Sequence, residues 1–197
     1  MRLMPQALPR RPAPDAPALQ VICVNTPVPT DSPATLCWGR FDSEAGPIIV
    51  FGAEGVLWAL GLAGDMGEAA VRADLARRWP DTRLIEAPEA LAPAISTLLR
   101  GSGEIRVRLA GTAFQMLVWR SLLEIPRGEV ISYSALARHI GRPGAARAVG
   151  SAVGRNPVAW VVPCHRVVRE SGDEGGYHWG PGVKRRLRDL ERVPVMV

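Results

Sequence analysis

The spacing of apolar side chains divides the chain into three stretches with different periods. Residues 1–35 show no sustained period and hold eight of the 18 prolines, so the reading is a mobile or extended leader. From Leu36 the pattern is short and β-rich: LCWGRF, PIIVFG and GVLWALGLA, separated by Gly and Pro, predict a small antiparallel sheet. EAAVRADLARRW (68–79) then sets Ala69, Val71, Leu75 and Trp79 on one helical face, with Asp74 and Arg78 at i,i+4 spacing and Pro80 as the stop. PEALAPAISTLLRG (88–101) predicts a second helix closed by Gly101, and EIRVRLAG (104–111) alternates like a half-buried strand. Residues 36–110 thus predict a small α/β domain without overt catalytic groups.

From Thr112 the period becomes helical. TAFQMLVWRSLLEI places Phe114, Leu117, Val118 and Leu122 at helical spacing, with Thr112 and Gln115 forming a capping box. Pro126-Arg127-Gly128 forces a turn, and Ser132 caps the short helix YSALARHI. After the break GRPG (141–144), AARAVGSAV (145–153) resumes as a helix, and the two short helices with a Gly-containing joint predict a helix-turn-helix. The second helix is nearly bare, with Arg147 its single long side chain. Such a surface suits close approach to a groove, or equally a helix packed tightly on its neighbours with Arg147 reaching solvent. The fold class expected is α+β: a small N-terminal domain with an antiparallel sheet and helices (36–110), then a mainly helical domain (111–197) carrying the helix-turn-helix.

Composition narrows the classes of function. Apolar residues are 47% and charged residues 22% of the 197, ordinary globular usage that excludes disorder throughout. No apolar run reaches the roughly 18–20 residues that span a bilayer, and prolines interrupt any secretory h-region, so a soluble intracellular protein is expected. Three widely spaced cysteines without a CxxC, and three histidines, argue against a disulfide framework or a zinc site. Net charge is +5 and unevenly spread: residues 1–100 balance at −2 and residues 101–197 at +7. Of 24 basic residues only Lys184 is not Arg. Genomic codon bias explains an excess of Arg but not the asymmetry, and a basic C-terminal half points toward nucleic acid.

The chemistry concentrates in RNPVAWVVPCHRVVRESGDEGGYHWG (155–180). The apolar run Val158–Val162 predicts a buried strand or extended segment that delivers Pro163-Cys164-His165-Arg166. A thiol attacks as its thiolate, and an adjacent imidazole or guanidinium can generate or stabilise that form. Adjacency along the chain is not pairing in space, and a bare Cys-His pair carries little weight.

The flanking residues carry more. PCHRV, preceded by Asn156-Pro157 and followed by GGYHWG and the basic GVKRRLRDLE, resembles the active-site signature of O6-alkylguanine-DNA alkyltransferases, most like the C-terminal part of the bacterial Ada-type branch. GTAFQMLVW, IPRGEVISYSALARHIG and AARAVGSAVGRNP extend the resemblance collinearly over about 108–193. It is weaker over 36–107 and absent before residue 35. Ada's zinc-binding regulatory module, with four Cys ligands, has no counterpart here.

The resemblance implies a role for each matching residue. Cys164 would accept the alkyl group by in-line displacement, His165 would take the thiol proton through a bridging water, and Glu191 would orient that His. Tyr133 would donate to guanine N3, and Asn156 would brace the active-site turn. Arg147 would fill the gap left by a flipped-out nucleotide. Tyr133, Ser134, Ala145, Ala146, Gly150 and Ser151 would face the DNA minor groove. Main-chain groups near Cys164, Val167 and His178 would read the guanine edge, with Tyr177 and Lys184 around the pocket and Trp179 as its wall. His178 departs from the family, which has Ser or Arg there, and bears on adduct preference if its side chain faces substrate.

The function implied is irreversible, single-turnover DNA repair. The alkyl group of O6-methylguanine, and less well of O4-methylthymine, would pass from flipped-out duplex DNA to Cys164, with no cofactor and no metal. The protein would act as a cytoplasmic, nucleoid-associated bacterial monomer without membrane contact. Three rivals are a non-catalytic binder of alkylated DNA, a damage-responsive transcriptional regulator and a Cys-His hydrolase.

Overall fold

The computed structural model describes residues 19–24 and 33–192, which form two compact units. The first holds the described residues up to Ala110 together with Pro157–Val161; the second holds Gly111–Asn156 and residues 162–192.

In the first unit, β2 (Thr35–Phe41), β3 (Ile48–Ala53) and β4 (Val56–Leu62) form an antiparallel meander. Glu54 and Gly55 link β3 to β4 with φ of 52° and 73°. Two successive left-handed residues make the tight connection whose twist suits a two-residue hairpin, and glycine adopts that φ without strain. α1 (Glu68–Ala76), β5 (Arg83–Glu86), α2 (Pro88–Arg100) and β6 (Gly103–Arg108) follow. Helical crossovers return the chain in the same direction, so β5 joins β2, and β6 joins β4, in parallel. With a further strand, β1 (Leu19–Val24), the sheet is therefore mixed, in the order β1-β6-β4-β3-β2-β5, rather than wholly antiparallel. At Gly39 an added Cβ would stand 2.8 Å from Pro88 Cα, so only glycine lets α2 lie this close to β2.

β1 (Leu19–Val24) corrects the reading of residues 1–35 as a leader without packed structure. It pairs in parallel with β6 along its full length, Leu19 to Gly103 through Val24 to Arg108. Its ladder partner lies far along the chain, so local composition does not announce it. Residues 1–18 and 25–32 of that stretch lie outside the described residues. α1 also ends at Ala76, before Pro80, with Val71 and Leu75 buried, Ala69 exposed and Trp79 beyond the helix.

The second unit opens with α3 (Ala113–Leu122) and the expected capping box: Gln115 N–H donates to Thr112 Oγ1 at 3.2 Å, and Thr112 N–H to Gln115 Oε1 at 2.9 Å. Val118 and Leu122 are buried, but Leu117 is 40% exposed. Trp119 fills the core in its place, its Nε1–H donating to Ala152 O at 2.8 Å and so fastening α3 to the helix that holds Ala152. β7 (Ile131–Ser132) leads into α4 (Tyr133–His139), capped by Ser132 Oγ, which accepts from Ala135 N–H at 3.1 Å. α5 (Ala146–Gly154) packs on α4 and completes the helix-turn-helix. A 3₁₀ turn (Cys164–Arg166), β8 (Val167–Val168) and α6 (Pro181–Arg192) finish the unit.

Candidate active site

The site begins where α5 stops. Asn156 follows the helix and is 3% exposed; the next residues leave for the sheet, where Leu60 N–H donates to Pro157 O and Ala159 N–H to Leu60 O, both at 3.0 Å. The expected extended run Val158–Val162 is thus a single bridge to Leu60 followed by a left-handed turn at Trp160, φ 70°. When the chain returns, Asn156 Nδ2 donates to Val162 O at 2.8 Å. That bond ties the two ends of the excursion together and fixes where Pro163 and Cys164 begin the 3₁₀ turn.

Cys164 is 4% exposed and its thiol lies 3.6 Å from Tyr177 Oη. Burial pushes the thiol above its ordinary pKa, only partly offset by hydrogen bonding from Asn156 and Tyr177 and by the charge of Lys184. At neutral pH the resting group is a thiol. Arg166, two residues on in sequence, does not offset the burial, because its guanidinium bonds elsewhere.

The Arg166 guanidinium spends its donors on Glu191 and on the backbone: Nε lies 3.0 Å from Glu191 Oε2, Nη2 2.6 Å from Oε1, and Nη1 donates to Ile125 O. Glu191 is 7% exposed and also accepts from Gly128 N–H at 3.3 Å. Burial acts to raise its pKa, but hydrogen bonds and charge from His165 and Arg166 outweigh it and hold the carboxylate well below its usual range. His165, fully buried, meets Glu191 Oε1 through Nε2 at 2.9 Å. Burial lowers the His165 pKa more than Glu191 raises it, so the ring is neutral and Nε2 carries the proton donated to Glu191. Its Nδ1 is left as a buried lone pair without a hydrogen-bond partner among the described residues.

A pocket of about 270 Å³ opens onto Cys164 between Tyr133, Gly150, Asn156, Tyr177 and His178, with Trp179 behind. Its volume falls just under the roughly 300–1,000 Å³ of drug-sized sites and suits a single heterocycle. Tyr133 is half-buried, and burial raises its pKa, with Cys164 adding to the shift and Arg169 opposing it. His178 stacks edge-on against Trp179 with ring centroids 4.5 Å apart. Val167 and Lys184 do not line the pocket. Lys184 is buried, its Nζ donating to Val167 O at 2.7 Å and to Glu174 O, and burial lowers its pKa to about 8.

Cys164, His165, Glu191, Tyr133, Asn156, Tyr177 and His178 therefore gather in one place. Ala145, Ala146 and Gly150 are half-buried, while Arg147 and Ser151 stand exposed on α5. Ser134 Oγ is bonded to Glu170 Oε2 at 2.5 Å. Sequence reasoning missed the clamp on Glu191 by Arg166 and the Pro126–Gly128 turn, which also sends Arg127 to Leu190 O at 2.7 Å. The only signal for either was the bare presence of Arg beside His and of a Pro-Arg-Gly turn. Among the described residues no group of His, Cys, Asp and Glu is placed to hold a metal ion, and no helix is long and apolar enough to cross a membrane.

Comparison with known proteins bears on this arrangement. Residues 113–193 match the model of the 6-O-methylguanine DNA methyltransferase, DNA binding domain. The chain is 43% identical over 122 residues to the inducible methylated-DNA–protein-cysteine methyltransferase of Bacillus subtilis, covering 59% of this chain and 68% of the relative. It is 41% identical over 163 residues to the methylated-DNA–protein-cysteine methyltransferase of Mycobacterium leprae, covering 79% and 92%. The match to the Mycobacterium tuberculosis counterpart spans only 54% of that protein's length by sequence. In three dimensions, the chain is similar to the Mycobacterium tuberculosis OGT in complex with DNA at TM-score 0.66 and 36% identity, covering 81% of this chain and 96% of that one.

Proposed function

Since the chain belongs to the O6-methylguanine-DNA methyltransferase family, whose direct repair moves a methyl group from O6-methylguanine to a protein cysteine, we propose that Cys164 is its acceptor. The observation that carries this reading is the placement of His165. Its Nε2–H is committed to Glu191, so its one basic site, Nδ1, belongs to the same buried cluster as the pocket-lining thiol.

The steps follow from these groups. The Cys164 proton passes through a bridging water to His165 Nδ1, and Glu191 stabilises the imidazolium through Nε2. Sγ attacks the methyl carbon in line; the S–C bond forms as the C–O6 bond breaks. Tyr133 Oη donates its proton to the departing purine, which leaves neutral; the phenolate recovers a proton from solvent and the His165 imidazolium returns one to it, so no net proton is gained or lost. A thioether offers no comparable leaving group, so each molecule acts once. O4-methylthymine presents the same bond in a smaller ring and is the poorer substrate.

DNA is the partner, and the finer description is an inference from surface and burial. A 4% exposed thiol at the wall of a one-base pocket cannot reach a stacked base, so the nucleotide must flip out. The half-buried Ala145, Ala146 and Gly150, with Ser151 beside them, give α5 the low relief that a minor groove accepts, and the exposed Arg147 can fill the vacated stack. The protein would work as a monomer in the bacterial cytoplasm, at the nucleoid.

Intact and peptide mass spectrometry with duplex DNA carrying one O6-methylguanine tests the assignment. The expected result is a single methyl gain on Cys164, saturating at one per protein and absent in Cys164→Ala. Methylation elsewhere would refute the acceptor assignment, and binding without mass gain would favour recognition without transfer.

A further inference from the structure

The proposed DNA-facing residues leave one cation at the pocket rim unexplained. β7 and β8 pair in parallel, Ile131 with Val167 and Ser132 with Val168, and both strands leave the ladder at the same level. The next residues on the two chains are Tyr133 and Arg169, then Ser134 and Glu170. The Ser134 Oγ to Glu170 Oε2 bond shows that this lateral matching continues past the strands. Arg169 and Tyr133 are neighbours for the same reason. Arg169 Cγ and Tyr133 Oη lie 3.4 and 3.6 Å from the point where a Cβ on Gly175 would stand, and the next residue, Gly176, lines the pocket.

The backbone of Arg169 is pinned on both sides. Its N–H donates to Asp173 O at 2.8 Å, and its carbonyl accepts from Gly172 N–H at 3.0 Å. Its side chain is exposed and makes no ion pair or hydrogen bond among the described residues. The acids nearest in sequence bond other groups: Glu170 Oε2 accepts from Ser134, Asp173 Oδ2 from Ser171 at 2.7 Å, and Glu174 Oε1 from Arg188 at 2.9 Å, with Glu174 Oε2 buried and unpartnered. An exposed guanidinium whose stem lies beside the pocket-lining Tyr133, and to which none of these acids is bonded, is placed to receive an anion from outside.

We propose that Arg169 binds a phosphodiester flanking the flipped nucleotide, so that the backbone is gripped beside Tyr133 while the base occupies the pocket. A base delivered there brings its own phosphates to the rim, and an arginine fork takes two phosphate oxygens at once. This rests on the reading of the pocket as a base-flipping site. It makes Arg169 a positioning residue that touches the backbone and no reacting atom.

The test is a chemical double-mutant cycle on the intact chain. Duplexes carry O6-methylguanine with either flanking phosphate replaced by a neutral methylphosphonate, and binding is measured from 50 to 200 mM salt for wild type, Arg169→Gln and Arg169→Lys. One methylphosphonate should weaken wild type and leave Arg169→Gln unaffected, with Arg169→Lys between them. Losing one phosphate contact should also cut the fourfold-salt change in Kd by about three- to fourfold. Arg169→Gln that keeps the wild-type salt slope, or responds to the methylphosphonate as wild type does, overturns the proposal. A wild type that transfers methyl yet ignores both neutral linkages also overturns it and leaves the repair reading standing. Failure of the wild type to bind any O6-methylguanine duplex would instead sink the site reading on which it rests.

Discussion

His165 meets Glu191 through Nε2 at 2.9 Å and keeps Nδ1 clear of every described hydrogen-bonding group. The same carboxylate is gripped by Arg166, so one buried anion fixes both the tautomer of the base and the place of a cation. Glu191→Gln should therefore do two separable things. Loss of the charge that stabilises the imidazolium should slow methyl transfer by about 10²-fold or more, read in single-turnover assays. Arg166, left beside a neutral amide, should cost about 3 kcal/mol in urea unfolding. A variant that loses stability but transfers at the wild-type rate would show that Glu191 is only structural.

The pH profile follows from the directions of the shifts. Burial lowers the His165 pKa below its ordinary 6.5, so the base stays neutral into mildly acidic solution. The single-turnover rate should hold through pH 6.5 and fall only below it. Stability has the same sign. Glu191 is depressed below its ordinary 4.5, so its contribution is complete above that value and is lost as pH falls toward the lower folded value. His165 acts in the same direction, since the unfolded ring binds a proton near 6.5 that the folded ring refuses. Cys164 is raised above its ordinary 9.0 and so loses stability once the unfolded thiol ionises, while Lys184, lowered from 10.5 to about 8, regains stability as its folded form sheds its proton first, so the two oppose each other at the alkaline end. Urea midpoints measured across pH 4 to 8 should rise toward neutrality, and a stability maximum below pH 5 would contradict these assignments.

What the sequence announces and what it hides can be separated residue by residue. Thr112 with Gln115, Ser132 and Gly101 mark helix ends because capping chemistry is local, and all three act as caps in the structure. The direction of Arg166 was not readable, although Cys164, His165 and Arg166 are consecutive. They share a 3₁₀ turn, whose three residues per turn send successive side chains about 120° apart. Cys164 thus reaches the pocket while His165 and Arg166 go to Glu191 on α6. β1 was hidden because its pairing with β6 is a property of the sheet, not of its flanking prolines. The tight packing of α5 against α3 was hidden because Trp119, off the apolar positions chosen from the period, reaches Ala152.

Asn156→Ala should lower stability by about 1–3 kcal/mol, the cost of leaving the buried Val162 carbonyl without its donor. It also removes a hydrogen bond that favours the ionised form of Cys164, so the thiol pKa should rise further. Transfer should slow, and alkylation of Cys164 by iodoacetamide should shift to higher pH. If stability falls while that alkylation profile stays in place, Asn156 braces the turn without acting on the thiol.

Two glycines of the helical unit should respond oppositely to the same added methyl. At Gly111 a Cβ would stand 2.7 Å from two ring carbons of Trp119 and 2.8 Å from Gln115 Oε1. The indole cannot slide away cheaply, because its Nε1–H is bonded to Ala152 O and the ring is 2% exposed. Gln115 is held as well, by its place in the capping box. Gly111→Ala should thus cost about 1–3 kcal/mol as overpacking. At Gly150, inside α5, the nearest atoms to a Cβ are on the Tyr133 ring at 3.7 Å, an ordinary contact, and φ there is not in the left-handed region. The helix-interior entropy term then dominates, and Gly150→Ala should gain about 0.5–1 kcal/mol. Urea melts of the two variants decide it: equal losses at both positions would mean that Tyr133 is packed against α5 as tightly as Trp119 is against Gly111.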